Sequence, residues 1–189
     1  MAGVEPHRFD IDAAIVDLDG TLVDTLGDFE AALNATLRDL QLRCIDAAAI
    51  EPMVGRGSEH LIRSVLALVG APPALYEAAW ALYQRHYAQA NGLHSRAYPG
   101  ALDGFAGLRD AGVRLACLTN KPGEFARALL AAKGLRRFFG VVNGGDAFDR
   151  KKPDPLPILK TCEALASAPS RTLVIGDSSN DAQAARAAG

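Results

Sequence analysis

Asp17-Leu18-Asp19-Gly20-Thr21 follows directly on the apolar run Ala13-Ala14-Ile15-Val16, and this junction decides how the chain is read. A short run with no polar interruption suits a strand buried on both faces, as in a parallel sheet. Ligands bind at the carboxyl ends of such strands, so the junction delivers two carboxylates and a glycine turn to a binding edge. At average residue frequencies the five-residue pattern occurs by chance only about once in several hundred chains of this length. An ordinary Asp/Gly turn accounts for Gly20 but not for both acids. We read the segment as a reaction centre.

Three later segments have the same character, at residues 113–118, 139–142 and 172–175: short, apolar, often β-branched, and followed by polar residues or glycine. Helical patterns lie between them. Leu102, Phe105 and Leu108 precede Gly112, and Phe125, Leu129 and Leu130 precede Gly134, each glycine suiting a left-handed helix stop. Alternating strands and helices predict an α/β fold, with a parallel sheet covered by helices on both faces.

Residues 24–95 break this alternation. Phe29, Leu33, Leu37 and Leu40 share one helix face, and Leu61, Ile62, Val65, Leu66 and Val69 share another. Pro72-Pro73 opens a third pattern with Leu75, Trp80 and Tyr83. The segment reads as an inserted helical bundle, in which Tyr76, Trp80, Tyr83 and Tyr87 pack a core or, alternatively, form a stacking surface.

Composition narrows the partners. The 189 residues carry 20 basic and 22 acidic side chains for a net charge of −2, so nothing calls for a nucleic-acid or membrane surface, and a small molecule is the expected partner. Cys44, Cys117 and Cys162 lack metal-ligand spacing and suit reduced thiols in a cytoplasmic protein. The first twelve residues are polar, and no run of 18 apolar residues occurs, so neither a signal peptide nor a membrane span is expected.

The remaining strand ends carry further polar groups. Thr119-Asn120-Lys121 offers a hydroxyl and an amide that can hold an oxyanion, although the same residues are common turn chemistry. In Lys151-Lys152-Pro153-Asp154-Pro155, Asp154 and Pro155 fit a helix start, while Lys152 is suited to phosphate oxygens and to a neighbouring carboxylate. Gly176-Asp177-Ser178-Ser179-Asn180-Asp181 brings more carboxylates of the kind that suit Mg²⁺. Its alternative is a capped helix, with Ser179 or Asn180 as the cap and Asp181 at the positive end, which leaves Asp177 unexplained. So many acids at one sheet edge call for a divalent cation.

Together, Asp17-Leu18-Asp19-Gly20-Thr21, Thr119-Asn120, Lys152-Pro153 and Gly176-Asp177 with Asp181 resemble the haloacid dehalogenase-like phosphohydrolases, in that family's order and along the whole chain. The stretches at 94–100, 118–122 and 144–146 look like the bacterial phosphoglycolate phosphatase branch. The resemblance implies a Rossmann-like core from residues 1–23 and 96–189 and a helical cap from 24–95. It implies Asp17 as the nucleophile, Asp19 as the acid and base, and Lys152 bridging phosphate and Asp17. Thr119 and Asn120 would hold the phosphate. Mg²⁺ would take Asp17, the backbone carbonyl of Asp19 and Asp177, with Asp181 as a ligand or a support behind one.

In the cap, Arg56 would meet a substrate carboxylate such as that of 2-phosphoglycolate. Ser58 approaches the substrate or caps the following helix. Family members continue beyond the position of Gly189 with another strand and helix, so the sheet is expected to lose an element and expose an unpaired edge: either the sequence is a cut or incomplete piece, or a partner such as a second copy covers that edge. The competing functions are a β-phosphoglucomutase-like phosphoryl transfer and an inactive binding module.

Overall fold

The computed structural model describes residues 10–189; the residues before Asp10, which carry most of the expected leaderless N-terminus, lie outside them. Four parallel strands form one sheet in the order β5-β4-β1-β6. They are β1 (Ala13–Val16), β4 (Arg114–Leu118), β5 (Val141–Asn143) and β6 (Thr172–Ile175).

Alternation along the central strands divides the core in two. Ala14, Val16, Leu115 and Cys117 face one way, toward α5 (Ala101–Asp110) and α6 (Gly123–Ala132). Ala13, Ile15, Ala116 and Leu118 face the other, toward α7 (Leu156–Ala164) and α8 (Ser179–Ala188). All four β1 residues are buried, which is why the run carries no polar side chain. Gly112 and Gly134 adopt φ of +82° and +68°, as their places beyond helix ends require.

Between β1 and β4 the chain leaves the sheet through a two-stranded antiparallel ribbon, β2 (Val23–Asp24) with β3 (Arg96–Ala97), which the sequence reading does not anticipate. Strands of two residues are too short to show a period. Beyond the ribbon lie α1 (Leu26–Asp39), α2 (Ala47–Ile50), α3 (Ser58–Leu68) and α4 (Tyr76–Ala90). Phe29, Leu33, Leu37, Leu61, Ile62, Val65, Tyr83 and Tyr87 fill a core of their own. The aromatic residues pack: Tyr87 stacks on Phe29 and Tyr83, each at 5.3 Å, and meets Phe125 of α6 edge-on at 5.0 Å. Asp28 is fully buried and accepts from the backbone N–H groups of Gly92 and His94, tying α1 to the returning chain.

No described helix is long and apolar enough to cross a membrane. Among the described residues β6 pairs only with β1, and Leu173 on it is exposed.

Candidate active site

The Asp17 loop is built by backbone constraint. The Asp17 N–H still donates to Ile175 of β6 at 2.9 Å, and Leu18 is buried, anchoring the turn as its carbonyl accepts from Leu22 and Val23. Gly20 sits at φ +84°, and a Cβ there would lie 2.4 Å from Asp177 Oδ2, so glycine alone allows the two loops to meet. The Thr21 hydroxyl donates to Asp177 Oδ1 at 2.5 Å, fixing that carboxylate over the turn.

Lys152 is the hub beneath. Its Nζ donates to Asp181 Oδ1 at 2.5 Å and to the Leu118 carbonyl at 2.8 Å, and stands 3.0 Å from Asp17 Oδ1. The contact with Asp17 is a buried ion pair, and this oxygen has no other polar partner among the described residues. Burial pushes the Asp17 carboxyl up to about 6 against the pull of Lys152, with Asp181 and Asp19 adding to the rise. Burial alone would lower the Lys152 ammonium, but Asp17 and Asp181 outweigh it and hold the pKa above its ordinary value.

Asp181 serves two elements at once. Its Oδ2 accepts from the Ser178 hydroxyl and N–H, while the Ser178 side chain accepts from the Asp181 N–H, closing a capping box. The cap of α8 is therefore Ser178, not Ser179 or Asn180. With one oxygen on Lys152 and the other on Ser178, Asp181 stands as a support beside the acidic cluster. The start of α7 also differs from expectation: Asp154 accepts from Leu156 N at 2.9 Å from one residue further out, and Pro155 occupies the cap position.

At the end of β4 the expected residues divide. Thr119 is buried and its oxygen accepts from Lys121 N at 3.2 Å, which leaves its own proton to donate. The Asn120 amide is already committed: it donates to the carbonyls of Gly55 at 2.9 Å and Lys152 at 2.8 Å, and accepts from Lys152 N at 3.0 Å. Asn120 thus ties Lys152 and the cap loop to the end of β4, with both amide protons engaged. Gly145 packs on this loop, its missing Cβ 2.3 Å from the Asn120 carbonyl.

Lys121, quoted in the motif but given no role by the sequence reading, is the residue that reading misses. Its side chain is 2% exposed, and Nζ lies 2.9 and 3.2 Å from the two oxygens of Asp19. The ammonium also donates to Tyr87 Oη and sits 4.6 and 4.7 Å from the ring centres of Phe29 and Tyr87. A lysine directly after a strand-end Thr-Asn pair was the available signal; its partners lie far away in sequence.

Asp17 and Asp19 both open onto two cavities, an inner one of about 20 Å³ and an outer one of about 280 Å³, which share Phe29, Val54 and Gly55. Ser58 lines the inner cavity as the first residue of α3, whose cap is Gly57, so Ser58 is not the helix cap. Arg56 does not join them. It is exposed and lines a separate cleft with His60, Lys151 and Asp154, because the Gly55 and Gly57 turns, at φ +94° and +89°, direct the loop outward between them.

Asp17, Asp177 and Asp181 each place a carboxylate oxygen within 4.8 Å of the others. The all-oxygen donor set and the side-chain-free cradle at Gly20 fit a small hard cation.

A family model described as haloacid dehalogenase-like hydrolase matches residues 11–189. The chain belongs to that family. Among relatives of this haloacid dehalogenase-like hydrolase, the phosphoglycolate phosphatase of Thiobacillus denitrificans is 41% identical over 182 residues, covering 95% of this chain and 80% of the relative. That of Nitrosospira multiformis is 43% identical over the same length and shares. A crystal structure of a predicted phosphoglycolate phosphatase from Haemophilus somnus superposes with a TM-score of 0.92 at 27% identity, covering 96% of this chain and 84% of that one.

Proposed function

We propose that this chain is a Mg²⁺-dependent phosphatase of small phosphomonoesters, with 2-phosphoglycolate as the substrate that fits best. The observation that carries the reading is Asp17, which lines a cavity large enough for a small ester while one of its carboxylate oxygens is buried 3.0 Å from the Lys152 ammonium. The names of the relatives in Thiobacillus denitrificans and Nitrosospira multiformis support the choice of substrate.

An Asp17 oxygen attacks phosphorus in line and the phosphorus–oxygen ester bond breaks, leaving an aspartyl-phosphate. Lys152 keeps positive charge beside the attacking carboxylate and the incoming phosphoryl oxygens. The Thr119 hydroxyl donates to one of those oxygens. Asp19, two residues along and opening onto the same cavities, gives its proton to the departing alkoxide. It then takes a proton from water as that water attacks the aspartyl-phosphate, which returns Asp17 and releases inorganic phosphate. Asp17, Asp177 and the backbone carbonyl of Asp19 would hold Mg²⁺, which supplies positive charge against the phosphoryl oxygens. The cap covers the site, and the Gly55 carbonyl bonded to Asn120 and Asn180 fastens it to the core.

Purified protein with Mg²⁺ should release inorganic phosphate from 2-phosphoglycolate, and EDTA should abolish the release. No release from any of a panel of small phosphate esters overturns the reading. Phosphorus NMR separates hydrolysis from mutase chemistry, since a mutase returns the phosphoryl group to a second sugar hydroxyl.

A further inference from the structure

Among the described residues lining the two joined cavities, the acids are Asp17, Asp19, Asp24, Glu51 and Asp177, and the one cation is Lys121. Lys152 lies beneath Asp17, where the phosphoryl group needs it, and Arg56 lines a different cleft. A phosphate ester carrying a second anionic group meets like charge along this lining except at Lys121. We propose that the Lys121 ammonium recognises a carboxylate on the substrate and so sets a preference for small phosphorylated carboxylic acids. The proposal rests on the phosphatase reading above.

The surroundings of Lys121 fit this role. The Phe29 and Tyr87 rings fix the ammonium from the cap side, and the Tyr87 hydroxyl takes one donor. The three donors of the ammonium meet the two Asp19 oxygens, at 2.9 and 3.2 Å, and the Tyr87 hydroxyl, so a substrate carboxylate would take one of the two donors now on Asp19 while the other keeps Asp19 paired. Three covalent bonds separate the phosphorus of 2-phosphoglycolate from its carboxylate carbon, a span of about 4 Å. Asp17 and Lys121 line the inner recess of about 20 Å³, which borders the outer cavity of about 280 Å³ at Asp17 and Asp19, so an ester seated in the outer cavity would have its carboxylate end turned toward Lys121. Because Phe29 and Tyr87 belong to α1 and α4, the recognition point is completed only by the cap.

The test compares 2-phosphoglycolate with 2-hydroxyethyl phosphate, which replaces the carboxylate by a neutral hydroxymethyl group. Wild-type protein should favour the acid, and Lys121→Met should lower the ratio of the two kcat/KM values about 10- to 100-fold. Any general harm from loosening Asp19 acts on both esters and cancels in the ratio. Tyr87→Phe keeps the buried ring and loses only the hydroxyl that orients the ammonium, and should lower the ratio about two- to fivefold. Equal wild-type rates on both esters overturn this inference alone, whereas no turnover of either overturns the phosphatase reading first. A ratio unmoved by Lys121→Met and Tyr87→Phe, or one that collapses in Arg56→Ala instead, also overturns it.

Discussion

Two buried lysines stand at the site, and they are held by different parts of the molecule. Lys152 is enclosed by the core alone: Asp17 after β1, the Leu118 carbonyl of β4, and Asp181 of α8. Lys121 has one core partner, Asp19, and a cap partner, Tyr87, with the Phe29 ring beside it. The core can therefore bring Asp17 and its counter-charge together without the cap. The environment of Asp19 depends on the cap being in place. On the proposed function, this difference separates phosphoryl chemistry, common to any ester, from the steps that depend on which ester has arrived.

The most severe way to break the core half is Asp17→Asn, which should lower kcat by roughly 10⁴- to 10⁶-fold while leaving the fold intact. Its stability has an opposite sign. A carboxyl raised from 3.8 to about 6 binds its proton more tightly when folded, so ionising it costs stability as pH rises through that interval. Without metal, Asp17→Asn should melt above wild type at pH 7 by the equivalent of about 2–3 kcal/mol, and the gap should close below pH 4. Thermal melts at the two pH values with EDTA read this directly, and a mutant less stable at pH 7 would contradict it.

Next in size is Lys152→Met. Removing the ammonium leaves Asp17 and Asp181 buried without a counter-charge, at a cost of about 3–5 kcal/mol. Urea titration should show it, and activity should vanish with it. By contrast, Lys121→Met also strands a buried acid, Asp19, but one at the cap boundary that lines both cavities, where water can reach it. A smaller loss, about 1–3 kcal/mol, is expected there. Equal losses for the two lysines would remove the distinction between a closed core and a cap-completed rim.

How much of this was legible in the sequence follows the same division. β1 could be read because burial on both faces leaves an uninterrupted apolar run, and Asp17, Lys152, Asp177 and Asp181 stand at or just beyond strand ends or at a helix start. Their convergence needs only the topology of a parallel sheet. Lys121 could not be assigned from its own neighbourhood, because Asp19 lies 102 residues away and Tyr87 34 residues away on a helix whose aromatic stripe reads as packing. The Asn120 amide is another such case. Its residue type suits an oxyanion, and only the fold reveals that Gly55 and Lys152 have already taken its donors. Arg56 looked well placed on a glycine-flanked loop, yet the same glycines direct it to another cleft.

The smallest effects should come from the fastening between the two halves, where the Gly55 carbonyl accepts from Asn120 at 2.9 Å and from Asn180 at 3.2 Å. The two asparagines look alike and should not behave alike. Asn120→Ala removes three bonds and leaves the Lys152 N–H without its acceptor, so it should cost about 2–3 kcal/mol and lower kcat roughly ten- to hundredfold by loosening Lys152. Asn180→Ala removes only the longer bond to a carbonyl that Asn120 still satisfies. It should cost no more than about 1 kcal/mol and change kcat/KM by less than about threefold. Were Asn180→Ala to match Asn120→Ala, the fastening of the cap, and not the placement of Lys152, would be what Asn120 contributes.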